Sequence, residues 1–92
     1  MLGARIQELR TAIGWSQVDL SKKLGVAKQT VSNWENDNIQ PSIETLVRLS
    51  KLFGVTTDYL LGLEQTPRLS MEGLPSNVVA HLLLLIDDYR MK

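Results

Sequence analysis

The sequence SQVDLSKKLGVAKQTVSNWE, from Ser16 to Glu35, decides the fold of this chain. It predicts two short helices joined by a tight turn. Ser16, followed three residues later by Asp19, has the pattern of a capping box at a helix start. Gly25 stands where a helix ends in the left-handed conformation, which glycine adopts without a Cβ penalty. We therefore expect helix, turn and helix in succession.

Apolar residues recur through this stretch at helical spacing and predict its buried side. They are Val18, Leu20 and Leu24 on the first helix, Val26 in the turn, and Val31 and Trp34 on the second helix. Trp15 precedes the cap at the spacing of a hydrophobic staple with Leu20. Stacking on nucleobases is an alternative role for the two tryptophans, but two isolated tryptophans at these positions favour packing.

The opposite side of the second helix is polar and carries one cation. Its residues are Lys28, Gln29, Thr30, Ser32, Asn33 and Asn36. Amide side chains can form paired hydrogen bonds with adenine, and lysine can donate to the guanine acceptors in the major groove. Gln29 and Asn33 are four residues apart and so share one side of the helix. This face predicts contact with the base edges of double-stranded DNA.

The chain resembles the Cro/CI-type (XRE) helix-turn-helix family of transcriptional regulators. The resemblance is carried by Leu9-Arg10, Ser16-Gln17, Gly25-Val26, TVSNWEN from Thr30 to Asn36, Pro41, ETLVRLSKLFGV from Glu44 to Val55, and DYLLG from Asp58 to Gly62. It implies an all-α fold, a five-helix lambda-repressor-like DNA-binding domain plus a C-terminal helix. It also implies a sequence-specific DNA-binding regulator, more often a repressor, that inserts residues 28–35 into the major groove.

The resemblance and the polar face together predict the site residues. Lys28, Gln29 and Asn33 are expected to contact bases, and Ser16, Gln17, Thr30, Ser32, Asn36 and Asn38 to contact phosphate or both. For Gln17 the alternative is a solvated residue of the first helical turn. The resemblance further implies that Arg10 pairs with Glu35. The alternative for Arg10 is a solvated cation favoured by the helix dipole.

The chain departs from the family pattern at two places. Ala27 stands where members often have a Ser or Thr cap, whose loss costs about 1 kcal/mol. After Glu35 many members have glycine and then lysines, whereas this chain has Asn36-Asp37-Asn38. Asp or Asn can adopt the left-handed conformation, but an acidic side chain opposes phosphate. We therefore expect modest non-specific affinity for DNA.

The remainder of residues 1–62 completes the predicted domain without any strand pattern. A first helix over residues 2–13 would turn Leu2, Ile6, Leu9 and Ile13 inward. Ser42 is expected to cap a helix through Phe53, and a last short helix begins at Thr56 or Thr57. The apolar residues assigned to the core here are Ile43, Leu46, Val47, Leu49, Leu52, Phe53, Tyr59, Leu60 and Leu61.

Residues 63–75 contain two prolines and little periodicity, which predicts a linker. Ser76 is then expected to cap an amphipathic helix within residues 76–92. Apolar residues cover more of this helix than docking on one small domain requires, which favours a homodimer formed through Val79, Leu82, Leu83 and Ile86. Packing within the monomer is one alternative. Another is an antitoxin or regulatory adaptor whose C-terminal helix binds a different protein.

Composition narrows the class of protein. The 92 residues have a formal net charge of +0, which counts against a protein that binds any polyanion regardless of sequence. One histidine, no cysteine, no phosphate-cradling glycine loop and no metal-ligand spacing disfavour an enzyme, a thiolate metal site and a bound cofactor. Lys22, Lys23 and Lys28 against Asp19 leave a local positive surplus on the proposed DNA side. The chain shows no signal-peptide pattern, and its longest apolar run, residues 78–86, is too short to span a bilayer. We expect a cytoplasmic protein without a small-molecule ligand.

Overall fold

The computed structural model describes residues 2–66 and 72–90, and throughout these the regular structure is helical. The helices are α1 Leu2–Ile13, α2 Gln17–Leu24, α3 Lys28–Glu35, α4 Ile43–Phe53, α5 Thr57–Leu60 and α6 Ser76–Arg90. The all-α fold expected from the sequence is confirmed, with the five predicted helices of the domain followed by one more.

Local hydrogen bonds explain where most of these helices begin and end. Ser16 Oγ accepts from the Asp19 amide at 3.0 Å, and Asp19 Oδ2 accepts from the Ser16 amide at 2.9 Å, which completes the capping box. Ser42 and Thr56 cap α4 and α5 through their hydroxyl oxygens, which accept from the Thr45 and Tyr59 amides. Gly25 ends α2 with φ 68°, in the left-handed region predicted for it. Ala27 gives α3 no side-chain cap.

The core lies where α3 packs across both α1 and α2 and where α5 joins α1 and α4. Its buried apolar residues are Leu2, Ile6, Leu20, Leu24, Val31, Trp34, Leu49, Phe53, Val55, Tyr59 and Leu60. Both tryptophans are packing residues, as predicted. Trp34 is buried, and Trp15 is half-buried with its ring stacked on Phe53 at a centroid separation of 6.1 Å.

The assignment of Ile13, Val18, Ile43, Val47 and Leu61 to the core was wrong, because the structure exposes all five. Ile13 and Ile43 occupy the last position of α1 and the first of α4, beyond the stretch of each helix that is covered. Val18 and Val47 point away from the stripe on which the buried residues of their own helices lie. Leu61 follows the last residue of α5, where the chain turns outward.

The last helix differs from the others because none of its residues is buried. Ser76 is its first residue rather than its cap, since the Pro75 carbonyl already accepts from the Val78 and Val79 amides at 3.0 and 3.1 Å. Residues 67–71 of the expected linker and residues 91–92 lie outside the described residues. Within residues 2–66 and 72–90, no helix has the length and apolar character needed to cross a lipid bilayer.

Candidate nucleic-acid interface

The turn between α2 and α3 sets the orientation of α3 relative to α2. The Gly25 amide donates to the Lys22 carbonyl at 3.3 Å, and the Val26 amide donates to the Ser21 carbonyl at 3.0 Å. These bonds satisfy carbonyl groups that the end of α2 would otherwise leave open. Val26 packs half-buried against the core. The turn therefore anchors the start of α3, whose polar side is left facing outward.

The outer side of α3 carries the polar set that the sequence predicted. Lys28 and Gln29 are exposed, and Asn33 is half-buried. Gln29 Nε2 donates to Asn33 Oδ1 at 3.1 Å, so the structure brings these two amides into direct contact. One residue before Asn33, Ser32 Oγ accepts from Asn36 Nδ2 at 3.3 Å. The face is thus a row of amide and hydroxyl groups joined in pairs four residues apart.

The other residues predicted to contact phosphate lie around this face. Ser16 is exposed, but its hydroxyl accepts the capping hydrogen bond of α2. Thr30 is half-buried in the first turn of α3. Asn38 is exposed in the loop after α3, and its amide donates to the Asn33 carbonyl at 2.9 Å. The loop is therefore tied to the last turn of α3.

Beneath this face, Arg10 and Glu35 form the buried ion pair that the family resemblance implies. Arg10 Nε lies 2.6 Å from Glu35 Oε2, and Arg10 Nη2 lies 3.0 Å from Glu35 Oε1. The two residues are only 8% and 7% exposed, which excludes the solvated alternative for Arg10. The hydrogen bond to Glu35 raises the pKa of Arg10 above its usual value. Arg10 Nη1 also donates to the Trp15 carbonyl at 2.7 Å, so one guanidinium joins α1, the start of α2 and the end of α3.

Gln17 has a partner that sequence reasoning missed. Its Nε2 donates to Glu35 Oε1 at 3.1 Å, and the residue is half-buried. It is therefore neither a fully solvated residue nor an amide wholly free for phosphate. A carboxamide nitrogen has two hydrogens, so one remains for a contact outside the cluster. The link between α2 and Glu35 is non-local, and residue types alone did not indicate it.

Asp37 contacts the start of α1, which was also not foreseen. Asp37 has φ 58°, in the left-handed position that the sequence allowed for Asp or Asn. Its Oδ1 accepts from the Gly3 amide at 3.1 Å. A Cβ added at Gly3 would come within 2.7 Å of both that oxygen and the Glu35 carbonyl. The loop after α3 is thus fastened to α1, and Asp37 supplies a carboxylate to a helix N-terminus, where negative charge is favourable.

The local charge on α2 and α3 is positive. Lys22, Lys23 and Lys28 are all exposed. The carboxylate of Asp19 is engaged by the Ser16 amide, and this hydrogen bond lowers the pKa of Asp19. Lys23 Nζ lies 4.6 Å from the centroid of the Trp15 ring, which fixes one of the cations by a cation–π contact.

The residues predicted to form a dimer lie on α6 with substantial apolar surface exposed. Leu83 and Ile86 are 56% and 37% exposed, whereas Val79 and Leu82 are half-buried. The helix adds exposed Leu84, Leu85 and Tyr89 to this surface. Apart from Val79 and Leu82, these apolar side chains are at least 37% exposed, and the helix has no buried residue.

Among residues 2–66 and 72–90, no group of three or more His, Cys, Asp or Glu side chains could hold a metal ion. The side chains of the described site offer hydrogen bonding by neutral amides and hydroxyls, supported by a few lysines. Neutral donors and acceptors in a fixed array suit the edges of base pairs, whereas cations suit the phosphate backbone.

Comparison with protein families gives a match over most of the domain. Residues 6–60 match the model of a family described as Helix-turn-helix. The HTH-type transcriptional regulator ImmR of Bacillus subtilis (strain 168) is 39% identical over 67 residues, which is 73% of this chain and 53% of ImmR. The chain therefore spans about half the length of this relative.

Two solved structures share the fold. The P22 c2 repressor protein, in a crystal structure with a synthetic operator, is 35% identical with a TM-score of 0.62, covering 65% of this chain and 91% of that one. A chain from a complex of the SinR and SinI proteins is 27% identical with a TM-score of 0.62 and covers 100% of both chains. The fold of the present chain is thus that of lambda-repressor-like domains.

Proposed function

This chain belongs to the helix-turn-helix family, in its Cro/CI (XRE) type, and we propose that it is a sequence-specific DNA-binding transcriptional regulator. In this proposal α3 lies in the major groove of double-stranded DNA. The observation that carries it is the polar outer face of α3, which exposes Lys28 and Gln29 beside Asn33 on a helix whose inner side is buried in the core. The similarity to a repressor solved with an operator supports the same function.

The proposed contacts with DNA fall into two classes, those with base edges and those with phosphate groups. Lys28, Gln29 and Asn33 would contact base edges, because amides and ammonium groups match the donors and acceptors there. Thr30, Ser32, Asn36 and Asn38 flank them and would contact phosphate or both, together with Ser16 and the remaining amide hydrogen of Gln17. Such contacts fix the register of the protein on the duplex without reading sequence themselves.

We further propose that the protein acts as a homodimer on a palindromic operator. Each subunit would lay residues 28–35 into one half-site, with half-site centres about 34–36 Å apart along the duplex. The support is α6, which has no buried residue and exposes an apolar surface including Leu83 and Ile86. Occupying a promoter in this way would repress transcription.

Selection of bound duplexes from a random library tests the DNA-binding proposal. We expect a two-fold symmetric motif. On that motif, Gln29→Ala should weaken binding by about 1–3 kcal/mol. Gln7→Ala is a matched control, because Gln7 is an exposed amide on α1. The proposal would be contradicted if the protein selected no sequence at low salt. It would also be contradicted if Gln29→Ala weakened binding to random DNA as much as binding to the selected motif.

Size-exclusion chromatography with light scattering measures the mass of the full chain in solution and so tests the dimer. We expect twice the 10.3 kDa of one chain, and a monomer after Leu83→Glu. Ile43→Glu is the matched control, because Ile43 is a large apolar residue, 82% exposed, outside α6. A wild-type monomer, or dissociation caused equally by both substitutions, would contradict dimerisation through α6.

A second candidate function is favoured by one observation. One match that covers the whole of this chain is to a chain from the SinR–SinI complex, an assembly of two different proteins. In that case α6 would bind another protein, and DNA binding would be regulated by it. A chain that stays monomeric at all concentrations while still selecting a DNA sequence would favour this candidate over the homodimer.

A further inference from the structure

We infer that Asn33 is a positioning residue, which sets the specificity of the protein by holding the Gln29 amide in register with one adenine. This inference rests on the proposed DNA-binding function and deepens it. It names the base that Gln29 reads, and it replaces the base contact proposed above for Asn33 by a positioning role. It starts from the hydrogen bond between Gln29 Nε2 and Asn33 Oδ1, at 3.1 Å on the outer side of α3.

The hydrogen-bonding groups of Gln29 show what the contact leaves free. A glutamine amide has one oxygen, which accepts, and two N–H groups, which donate. One N–H is given to Asn33. The oxygen and the other N–H remain, and adenine in the major groove offers an N6 donor and an N7 acceptor to such a pair. The intramolecular bond restrains the side chain, and it leaves the edge that reads adenine free when it uses the N–H that points away from Oε1.

The groups of Asn33 show why it is suited to act through Gln29. Its Oδ1 already accepts from Gln29, so reading adenine with both of its own amide atoms would require that oxygen to accept two hydrogen bonds at once. Its backbone carbonyl accepts from the Asn38 and Ile39 amides at 2.9 and 3.3 Å. Asn33 is half-buried and its backbone is tied to the following loop, whereas Gln29 is longer, exposed and carries more rotamer freedom to lose on binding.

The neighbouring polar residues do not offer Gln29 the same restraint. Asn36 Nδ2 donates to Ser32 Oγ, and the Gln17 amide donates to Glu35. Asn33, by contrast, places its side-chain oxygen one helical turn from Gln29 on the same side of α3, the spacing at which side chains of a helix meet. Specificity at the base read by Gln29 should therefore depend on the acceptor at position 33.

The test uses the full chain and a randomised duplex library, with variants that separate restraint from direct reading. Gln29→Ala removes the reader. Asn33→Leu removes the acceptor at similar size, and Asn33→Asp keeps an acceptor for the Gln29 N–H while removing the Asn33 donors. Binding to random duplex corrects each variant for changes in non-specific affinity, and circular dichroism checks folding.

We expect Gln29→Ala to abolish preference for adenine at one base pair of each half-site. Asn33→Leu should lower preference at that same base pair by about 2- to 10-fold, the effect of one hydrogen bond, and Asn33→Asp should retain it. Asn33→Leu should add little to Gln29→Ala in the double variant. In the wild-type motif, replacing that adenine by 7-deazaadenine should weaken binding by the wild type but not by Gln29→Ala.

Other outcomes overturn the inference. If Asn33→Leu changes preference at a different base pair, Asn33 reads a base itself. If Asn33→Leu changes the preference at no base pair, the acceptor at position 33 does not position Gln29. The same conclusion follows if Asn33→Asp lowers the preference for adenine as much as Asn33→Leu does. These results leave the DNA-binding proposal standing, because the wild type still selects a motif. A wild type that selects no motif removes the proposed function and the inference together.

Discussion

Replacing Glu35 by glutamine probes the buried cluster that joins α1, α2 and α3. The substitution keeps the size of the side chain and removes its charge. In the native protein Glu35 accepts two hydrogen bonds from Arg10, at 2.6 and 3.0 Å, and one from Gln17 at 3.1 Å. The variant would leave Arg10, which is only 8% exposed, without its counter-charge.

The expected loss of stability follows from that burial. Removing one partner of a buried pair costs about 3–5 kcal/mol because the other charge stays behind. We expect the lower end, about 3 kcal/mol, since Arg10 keeps the Trp15 carbonyl as an acceptor. A domain of this size has a free energy of unfolding of roughly 3–9 kcal/mol in total. The melting temperature should fall by roughly 12–24 °C.

Denaturant and thermal unfolding followed by circular dichroism would measure this. Glu8→Gln is the matched control, because Glu8 is exposed on α1, and it should change stability by under about 0.5 kcal/mol. The double variant Arg10→Met with Glu35→Leu should lose less free energy of unfolding than Glu35→Gln alone. Apolar side chains then replace both charges, so no buried charge is left without a partner.

A loss of under about 1 kcal/mol for Glu35→Gln would refute this reasoning, because exposed pairs are worth that much. It would mean that water reaches the pair and that the charges do not fasten α1 to α3. A double variant less stable than Glu35→Gln would equally contradict the argument, because the charges would then be worth more than apolar packing.

Three further variants test other contacts, each by its unfolding midpoint. Gly3→Ala should destabilise by about 1–2 kcal/mol, since its Cβ would overlap the backbone at the end of α3; no loss would show that α1 can shift. Ala27→Ser should stabilise by about 1 kcal/mol by capping α3, whose first residue now lacks a side-chain cap, whereas Ala27→Val should not. Asp19 has a lowered pKa, so its contribution is present above its unfolded pKa and is lost as pH falls through the folded one. Asp19→Asn should therefore flatten the stability profile below about pH 4, and an unchanged profile would contradict that role.

Local chemistry made much of the fold predictable. The capping box at Ser16 and the left-handed Gly25 depend only on residues within one helical turn, so their patterns identified both ends of α2. Val31 and Trp34 were correctly placed inward because α3 is covered along its length. The same spacing wrongly predicted that Ile13 and Ile43 are buried. Each is a terminal residue of its helix and extends past the helices that pack against it. Helical periodicity does not show where that packing ends.

The candidate site was predictable in its residue types but not in its connections. The amide face of α3 follows from the sequence, because residues opposite Val31 and Trp34 must point outward. The bonds from Gln17 to Glu35 and from Gly3 to Asp37 span 18 and 34 residues. Such contacts depend on how the helices cross. For Asp37 the sequence indicated repulsion from phosphate, and the structure adds a partner within the protein.

The close approach of Gly3 to the end of α3 has a practical consequence for labelling. A fluorophore or purification tag joined ahead of Leu2 would emerge beside Asp37 and the loop that leaves α3. That loop belongs to the proposed DNA interface, so the label would obstruct the duplex there and distort a binding titration. Lys51, exposed on α4, offers an attachment point on a different helix.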